Sequence, residues 1–363
     1  RALTEKLDRS PSGMMWASDA SGVYFNVENE GSRNLYFVSL KGDIRQVTKG
    51  THVLTVSDIN RNFMAVGVAT SPMKPNDIVT FDVRTPAIKQ LTDVNGDVLA
   101  GKKLATTEEV WYTSVDGYKI QGWIVKPAGF DASKKYPLML RIHGGPNGQD
   151  QHAFSFEREL FAANGYLVLA VNYRGSSGRG QAWKKAIFAD WGNKEVQDLM
   201  AGVDHVISMG VVDTTRMGIG GWSYGGILTD YTIATTSRFK AATSGAGSAL
   251  QTTMYGSDQY IYQYENELGA PWKNPKLWEK LSYPFWHADR ISTPTMFLGG
   301  EKDFNVPIAG GEQMYQALKS LGVPTQMIVY PGQFHGISRP SFVKDRYDRY
   351  VGWYAKYLMG VTQ

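Results

Sequence analysis

The sequence of 363 residues contains no cysteine. Disulfide bonds, thiolate metal sites and a cysteine nucleophile are therefore excluded, and covalent catalysis would have to use another side chain. Long hydrophobic runs are also missing, because no apolar stretch approaches the roughly 18 residues that favour a membrane span. Lysine and arginine are dispersed, and the formal net charge is only +4. We therefore expect a soluble protein with no nucleic-acid partner and no membrane partner.

Nucleotide-binding signatures are missing as well. The glycine cluster at residues 175–180 has the wrong order for a dinucleotide loop, and the cluster at residues 218–223 has serine in place of the third glycine. The sequence contains no Gly-Lys-Ser or Gly-Lys-Thr. We expect no cofactor and no metal ion. The compartment, whether cytoplasmic, periplasmic or secreted, is left open because the chain begins with arginine instead of methionine.

Residues 1–105 consist of short alternating runs separated by turn residues, as in a small antiparallel β-structure. Residues 44–48 (Ile-Arg-Gln-Val-Thr) recur as residues 88–92 (Ile-Lys-Gln-Leu-Thr), and Phe37 recurs as Phe81. Both pairs are about 44 residues apart, a period typical of four-stranded propeller blades. We predict that residues 1–105 form about two blades of a partial β-propeller. The alternative is a small β-domain in its own right.

Residues 106–363 show a different pattern, in which buried strands alternate with amphipathic helices. Residues 167–171 form a continuous apolar run, and residues 194–207 place Val196, Leu199 and Val203 on one helical face. This alternation predicts an α/β domain with a mostly parallel sheet and helices on both faces. Chemistry is then expected at the carboxyl ends of the strands. With 42% apolar residues, the chain is long enough for two domains.

Residues 221–225 read Gly-Trp-Ser-Tyr-Gly and lie between an apolar run and an apparent helix. An α/β hydrolase places its nucleophile in this position, on a strand-to-helix turn so sharp that small residues must flank the serine. The turn holds the hydroxyl at the carboxyl edge of the sheet. We therefore predict that Ser223 is a nucleophile.

A serine hydroxyl needs a base at neutral pH, and imidazole is the side chain suited to that task. Strands predicted over residues 295–300 and 325–330 are followed by Asp303 and His335, respectively. Serine, aspartate and histidine in this chain order, each after a strand, match the order of an α/β-hydrolase triad. We predict that His335 is the base and that Asp303 orients it. Glu301 is the alternative acid.

The sequence also suggests where an oxyanion would be stabilised. A strand predicted over residues 135–142 is followed by His-Gly-Gly-Pro at residues 143–146. Glycines at this point let a backbone N–H approach a developing oxyanion, and the second donor is the N–H of Tyr224, the residue after the nucleophile. The alternative is that Gly-Gly-Pro is simply a turn.

With these motifs in view, the chain from about residue 108 onward resembles the catalytic domain of the prolyl oligopeptidase family of serine peptidases. The matching pieces are Asp116-Gly117, Gly122-Trp123, His-Gly-Gly-Pro at 143–146, Tyr-Arg-Gly-Ser at 173–176 with Gly178 and Gly180, Gly-Trp-Ser-Tyr-Gly-Gly at 221–226, Asp303 and His335-Gly336. The resemblance implies peptide hydrolysis through an acyl-enzyme, with Ser223, Asp303 and His335 as the triad.

Within that family the signals point to two branches. The tryptophan before the serine and the spacing Asp303-x-Asn305-Val306 look like dipeptidyl peptidase IV, in which the matching asparagine helps to hold a substrate carbonyl and the valine lines the pocket. The His-Gly-Gly-Pro sequence looks like the acylaminoacyl peptidases, whose oxyanion donor would map to the N–H of Gly145. The resemblance implies four substrate-binding residues: Trp222, Tyr224, Asn305 and Val306. For Trp222 the alternative is a purely structural role.

The function that this resemblance implies is a serine peptidase acting on short peptides, similar to dipeptidyl or acylaminoacyl peptidases. A carboxylesterase of the same fold is the alternative, because a triad and an oxyanion hole serve esters equally well. Family members place a complete propeller before the hydrolase domain. We therefore expect, besides a peptide substrate, an N-terminal propeller segment in a longer precursor or a nicked partner chain. A homo-oligomer is left open.

Overall fold

A computed structural model describes residues 2–361 of the chain, which divide into two compact units. Unit 1 runs to Leu104 and also includes Gln149–Phe156 and Ser176–Lys185. Unit 2 consists of Ala105–Gly148, Glu157–Gly175 and the chain from Ala186 onward. None of the helices between residues 2 and 361 combines the length and the apolar character needed to cross a membrane.

Unit 1 is built on one eight-stranded sheet. Its strands are β1 (Pro11–Trp16), β2 (Gly22–Asn29), β3 (Ser32–Ser39), β4 (Ile44–Gln46), β5 (Val53–Ile59), β6 (Met64–Ser71), β7 (Lys74–Asp82) and β8 (Thr85–Gln90). Strands β1–β4 form one antiparallel meander and β5–β8 a second, and the two join where Arg33 of β3 pairs in parallel with Val53 of β5.

The sequence repeat of unit 1 is also a repeat of structure. Phe37 lies on β3 and Phe81 on β7, the third strand of each meander. Leu35 from the first meander and Val79 from the second lie in one buried cluster. The segment Ser176–Lys185, which comes later in the sequence, is bonded to the same unit. The Ser177 hydroxyl donates to the Glu28 carboxylate on β2 at 2.6 Å. That the two meanders are blades of a propeller stays a prediction.

Unit 2 contains a second eight-stranded sheet with the order β16-β15-β14-β13-β11-β12-β10-β9. Its strands are β9 (Thr106–Thr113), β10 (Lys119–Lys126), β11 (Tyr136–Ile142), β12 (Leu167–Asn172), β13 (Val212–Trp222), β14 (Ala241–Gly245), β15 (Thr295–Gly300) and β16 (Thr325–Tyr330). From β12 to β16 all neighbours pair in parallel, whereas β9 and β10 form an antiparallel edge. The predicted α/β class with a mostly parallel sheet is confirmed.

Helices connect and cover the strands. They are α1 (Gly96–Leu99), α2 (Phe156–Ala163), α3 (Gln181–Lys185), α4 (Lys194–Ser208), α5 (Tyr224–Thr235), α6 (Ile261–Glu267), α7 (Pro275–Leu281), α8 (Tyr283–Trp286), α9 (Ala309–Ser320) and α10 (Pro340–Leu358). Short 3₁₀ turns occupy Glu5–Leu7, Gln251–Thr253 and Ala288–Arg290. Helix α10 begins with Pro340, which suits a first turn because proline lacks the N–H that would find no partner there.

The sheet of unit 2 is covered on both faces. Met139 of β11 and Met296 of β15 lie in the same buried cluster as Phe161 of α2 and Tyr354 of α10. Helices α4, α5 and α9 pack against the sheet without joining that cluster, and α5 lies on β13 and β14. Strands β12 and β15 are buried throughout and β11 is buried from Pro137 onward, as expected for parallel strands between two helical layers.

A buried acid lies within this core. Asp230 of α5 is 1% exposed, and its Oδ1 has no hydrogen-bond partner among the residues that the structure describes. Burial raises the pKa of Asp230 to about 8, although a hydrogen bond with Ser244 opposes the shift. Because burial disfavours the charged form, this carboxyl is neutral in the folded protein at pH 7.

Asp230→Asn is expected to stabilise the protein increasingly as the pH rises. The pKa of an aspartate in the unfolded chain is about 3.9, so the neutral folded carboxyl contributes its full stability below that pH. That contribution is lost as the pH rises through about 8, the pKa in the folded chain. An amide does not titrate. Thermal melts between pH 4 and about 9 should show a growing advantage of the variant, and a difference independent of pH would contradict this account.

Candidate active site

Ser223 occupies the turn between β13, which ends at Trp222, and α5, which begins at Tyr224. Its backbone has φ 61° and ψ −126°, a left-handed conformation that costs energy in a residue with a side chain. The turn is held by its own hydrogen bonds. The Ser223 N–H donates to Gly245 O at 2.9 Å, and its carbonyl accepts from the N–H of Gly226 at 2.8 Å. The strand-to-helix geometry expected for an exposed nucleophile is therefore present.

Glycines beside Ser223 are required by close contacts between backbones. A Cβ on Gly225 would lie 2.1 Å from Ile142 O, and a Cβ on Gly221 would lie 2.5 Å from the same oxygen. Gly144, in the loop after β11, approaches from the other side, where a Cβ would lie 3.1 Å from Ser223 Cβ. Any larger residue at 221 or 225 would push β11 and α5 apart.

Asp303 and His335 are brought together by the loops after β15 and β16. His335 Nδ1 lies 2.8 Å from Asp303 Oδ2. The other carboxylate oxygen, Oδ1, accepts from the N–H groups of Asn305 (2.8 Å) and Val306 (2.9 Å). Asp303 is only 6% exposed. Both oxygens are thus engaged, which fixes the orientation of the carboxylate toward the imidazole.

Trp222 connects the serine turn to the histidine loop. Its indole N–H donates to the carbonyl of His335 at 3.0 Å, and the two rings are 6.4 Å apart. The guanidinium of Arg346 lies over the indole at 5.1 Å. In the described part of the chain, the Ser223 hydroxyl itself makes no hydrogen bond to His335. Such bonds often tighten only when substrate is bound.

Glu301, the alternative acid, does not contact the histidine ring among the described residues. Its side chain is exposed, and Oε2 accepts from the N–H of Gly332 at 2.7 Å. The N–H of Lys302 donates to Gln333 O at 2.8 Å. The segment from Glu301 to Lys302 therefore fastens the loop that carries His335, while Asp303 faces the ring.

The predicted oxyanion donors lie on the two elements that meet at the serine. Tyr224 opens α5, so its N–H belongs to the first turn and has no partner within the helix. Gly145 follows Gly144, the residue that packs on Ser223. His143 stabilises this loop, because its ring stacks on Tyr173 with centroids 4.4 Å apart. The role of Gly145 and Tyr224 as donors stays a prediction.

Of the predicted substrate-binding residues, Asn305 and Trp222 are half-buried, and Tyr224 and Val306 are buried. The Asn305 side-chain oxygen accepts hydrogen bonds from the Tyr260 hydroxyl and from the amide of Gln259. Because both partners are donors, the Asn305 amide presents its NH₂ end to other groups. Gln259 and Tyr260 lie just before α6, and of the two only Gln259 is a partner that the sequence did not indicate.

Glu195 of α4 is a further group that the sequence did not reveal. It is 0% exposed and its Oε1 accepts from the Tyr224 hydroxyl at 2.6 Å. The signal in the sequence is an acidic residue on the apolar face of a helix, four residues before Leu199 on the same stripe.

No group of three or more histidine, aspartate or glutamate side chains that could hold a metal ion occurs in residues 2–361.

Comparison with known sequences gives two profile matches. The profile described as "Prolyl oligopeptidase family" matches residues 152–360, and the one described as "Acetyl xylan esterase (AXE1)" matches residues 98–192. The chain is 31% identical over 356 residues to "Uncharacterized peptidase YuxL" of Bacillus subtilis (strain 168), covering 95% of this chain and 53% of that protein. It is 29% identical over 354 residues to dipeptidyl-peptidase 5 of Porphyromonas gingivalis, covering 95% of this chain and 52% of the relative. The chain thus spans about half the length of the curated relatives it matches.

Solved structures of similar fold include an acylaminoacyl peptidase from Pyrococcus horikoshii. The two superpose with a TM-score of 0.90 at 25% sequence identity. The alignment covers 100% of this chain and 58% of the acylaminoacyl peptidase chain. An acylaminoacyl peptidase in complex with Z-Gly-Gly-Phe-chloromethyl ketone superposes with a TM-score of 0.91, also at 25% identity and with the same coverage of 100% and 58%.

Gly225→Ala is expected to destabilise the serine turn, because its Cβ would lie 2.1 Å from the backbone oxygen of Ile142, so that the backbone would have to shift. Overpacking of this kind costs about 1–3 kcal/mol or more, and a misplaced hydroxyl loses about 100-fold in reactivity. The measurements are the melting temperature and the rate at which a fluorophosphonate labels Ser223. Gly336→Ala is the matched control, since a Cβ there meets nothing within 4 Å. Equal behaviour of the two variants would contradict the account.

Proposed function

Because the chain belongs to the prolyl oligopeptidase family, we propose that it carries the catalytic centre of a serine peptidase that hydrolyses short peptides through an acyl-enzyme. Ser223 is the nucleophile, His335 the base, and Asp303 the acid that orients it. One observation carries the proposal: the 2.8 Å contact between His335 Nδ1 and Asp303 Oδ2, next to the turn that holds Ser223. The family relatives named as peptidases support the same reaction class.

In the acylation step, the Ser223 hydroxyl attacks the scissile carbonyl and gives its proton to His335 Nε2. The new bond turns the carbonyl oxygen into an oxyanion, which the N–H groups of Tyr224 and Gly145 stabilise. His335 then passes the proton to the leaving amine as the C–N bond breaks. Water repeats the sequence on the ester to release the acid and restore the serine.

Asp303 supports the imidazole in both half-reactions. Its Oδ2 accepts a hydrogen bond from the Nδ1–H of His335, which keeps Nε2 free to act as the base and stabilises the imidazolium once it forms. The two N–H groups on Oδ1 hold the carboxylate in place, so it does not have to be organised during the reaction.

For the substrate, we propose a peptide whose carbonyl near the scissile bond accepts a hydrogen bond from the Asn305 NH₂ group. The bonds from Gln259 and Tyr260 to the Asn305 oxygen support this orientation. The relatives named dipeptidyl-peptidase 5 favour release of dipeptides, and the neighbours named acylaminoacyl peptidase favour removal of an acylated residue. Val306, Tyr224 and Trp222 would support the wall of this site.

A carboxylesterase is the second candidate function. The acetyl xylan esterase profile matches residues 98–192, which include the loop proposed to supply the Gly145 donor. A triad and an oxyanion hole act on esters as readily as on amides, so the catalytic geometry alone supports both reactions. Substrate preference separates them.

Asp303→Asn is expected to lower kcat by about 10⁴ while leaving the melting temperature near that of the native protein, because an amide favours the wrong imidazole tautomer. Glu301→Gln is the matched control, since it also changes an acid to its amide near the same loop. The control should retain activity within a few-fold, because the glutamine oxygen can still accept from the N–H of Gly332. If Glu301→Gln instead caused the large loss of kcat, the acid role would be assigned to Glu301.

A substrate panel tests the reaction class. We expect the highest kcat/KM with dipeptidyl or N-acylaminoacyl anilides, lower values with free aminoacyl anilides, and ready cleavage of p-nitrophenyl esters. Ser223→Ala should lose about 10⁶ in kcat on all of them. Cleavage of esters without any anilide or peptide would assign the chain to the esterases.

A further inference from the structure

Glu195 lies directly behind the serine turn but takes no part in the proposed triad. Its Oε1 accepts hydrogen bonds from the Tyr224 hydroxyl (2.6 Å) and from the N–H of Gly192 (3.2 Å). Oε2 has no partner, and no cation pairs with the carboxylate, among residues 2–361. A fully buried carboxylate with one unsatisfied oxygen is costly to keep. Such a cost at the edge of an active site points to a function.

We propose that Glu195 is a positioning residue for the oxyanion site, acting through the hydrogen bond that it accepts from the Tyr224 hydroxyl. The proposal rests on the function proposed above, in which the Tyr224 N–H stabilises the oxyanion. Tyr224 is the first residue of α5 and follows the nucleophile directly. Holding its side chain therefore holds the backbone that carries the donor.

The packing around Tyr224 links both proposed oxyanion donors. The Tyr224 ring contacts Trp191 edge-on and Tyr173 at a tilt, each with centroids 6.4 Å apart. Tyr173 in turn stacks on His143 and donates its hydroxyl to the carbonyl of His143 at 2.9 Å. The loop of Gly145 and the start of α5 thus meet in one aromatic stack, and Glu195 anchors one end of it. Oxyanion stabilisation depends on donors held in advance at the right distance.

The charged and titratable groups around Glu195 leave its carboxylate without compensation. Asp198, on the same helix, is neutralised by Arg174, whose Nε and Nη2 donate to its two oxygens at 2.9 and 2.7 Å. Tyr231 of α5 donates its hydroxyl to Leu281 O. Beyond Trp191, Glu267 of α6 accepts from the indole N–H at 2.7 Å. The Tyr224 hydroxyl and the N–H of Gly192 donate to the Glu195 side chain, and a hydrogen bond from its own backbone N–H also lowers its pKa.

Burial raises the pKa of Glu195 to about 7, so the group changes charge near neutral pH. Below that pH the carboxyl is protonated, and the bond from Tyr224 loses its charge assistance and weakens. The native enzyme therefore loses the charge-assisted bond as the pH falls through about 7, whereas a variant without this carboxyl has no such bond to lose.

The test is the acid limb of log(kcat/KM) against pH for a p-nitrophenyl ester, together with the rate of fluorophosphonate labelling, in the full-length protein. We expect the ratio of native to Glu195→Gln kcat/KM to be about 10 at pH 8 and to fall toward 1 as the pH drops well below about 7, because the protonated carboxyl and the amide are both neutral acceptors. At pH 8 the variant should lose about tenfold in kcat with KM changed less than about twofold, because a neutral acceptor replaces a charged one. A ratio of native to variant kcat/KM that does not change with pH would overturn the proposal.

Tyr224→Phe provides a second route if Glu195→Gln does not fold, since it removes only the hydroxyl. It should show the same loss of kcat at pH 8 and the same approach to the native kcat/KM in acid. Tyr330→Phe is the matched control, because it removes a buried hydroxyl that lies 3.1 Å from Asp345 Oδ2; its kcat and limb should equal those of the native enzyme. Variants that change only the melting temperature would assign Glu195 a structural role and overturn the proposal.

This experiment distinguishes a wrong nucleophile from a wrong role for Glu195. If the native protein is not labelled by the fluorophosphonate, the proposed nucleophile is wrong and the role of Glu195 falls with it. If the native protein is labelled, but the variants are labelled at the native rate with the native pH dependence, only the positioning role is wrong.

Discussion

The contact between the carbonyl of Ile142 and the turn around Ser223 is the constraint on which the rest of the site depends. This oxygen leaves no room for a side chain at Gly221 or Gly225, so the end of β11 touches the start of α5 directly. Because the two backbones touch, β13 continues into α5 through a single residue. That residue is Ser223, which adopts φ 61°. The backbone, and not a side-chain contact, holds the hydroxyl at the edge of the sheet.

The acid and the base are tied to this turn by hydrogen bonds to the backbone. The Trp222 indole reaches the carbonyl of His335, and the N–H groups after Asp303 hold its carboxylate toward the imidazole. Strands β15 and β16 are parallel neighbours, so the loops that follow them open at the same edge of the sheet. The site is therefore assembled from three strand ends, and each is fixed by contacts that do not involve substrate.

The strands around the site could be predicted because they are continuous apolar runs. Strands β15 and β16 have the predicted bounds, 295–300 and 325–330, and the α/β class follows from the alternation of such runs with helices. The helical periodicity also predicted α4, but it missed the two acids buried on that helix, Glu195 and Asp198. Their partners come from distant parts of the chain: Tyr224 lies 29 residues after Glu195, and Arg174 lies 24 residues before Asp198. The periodicity of one helix cannot show partners from elsewhere in the chain. Without such partners, an acidic side chain is expected to lie on the surface.

Covalent catalysis by Ser223 is tested most directly by trapping the acyl-enzyme. The full-length protein is mixed with a slowly hydrolysed acyl p-nitrophenyl ester, quenched in acid, digested and mapped by mass spectrometry. We predict a burst of p-nitrophenol equal to the amount of enzyme and an acyl group on Ser223. Turnover without a burst, or an acyl group on another residue, would contradict the claim.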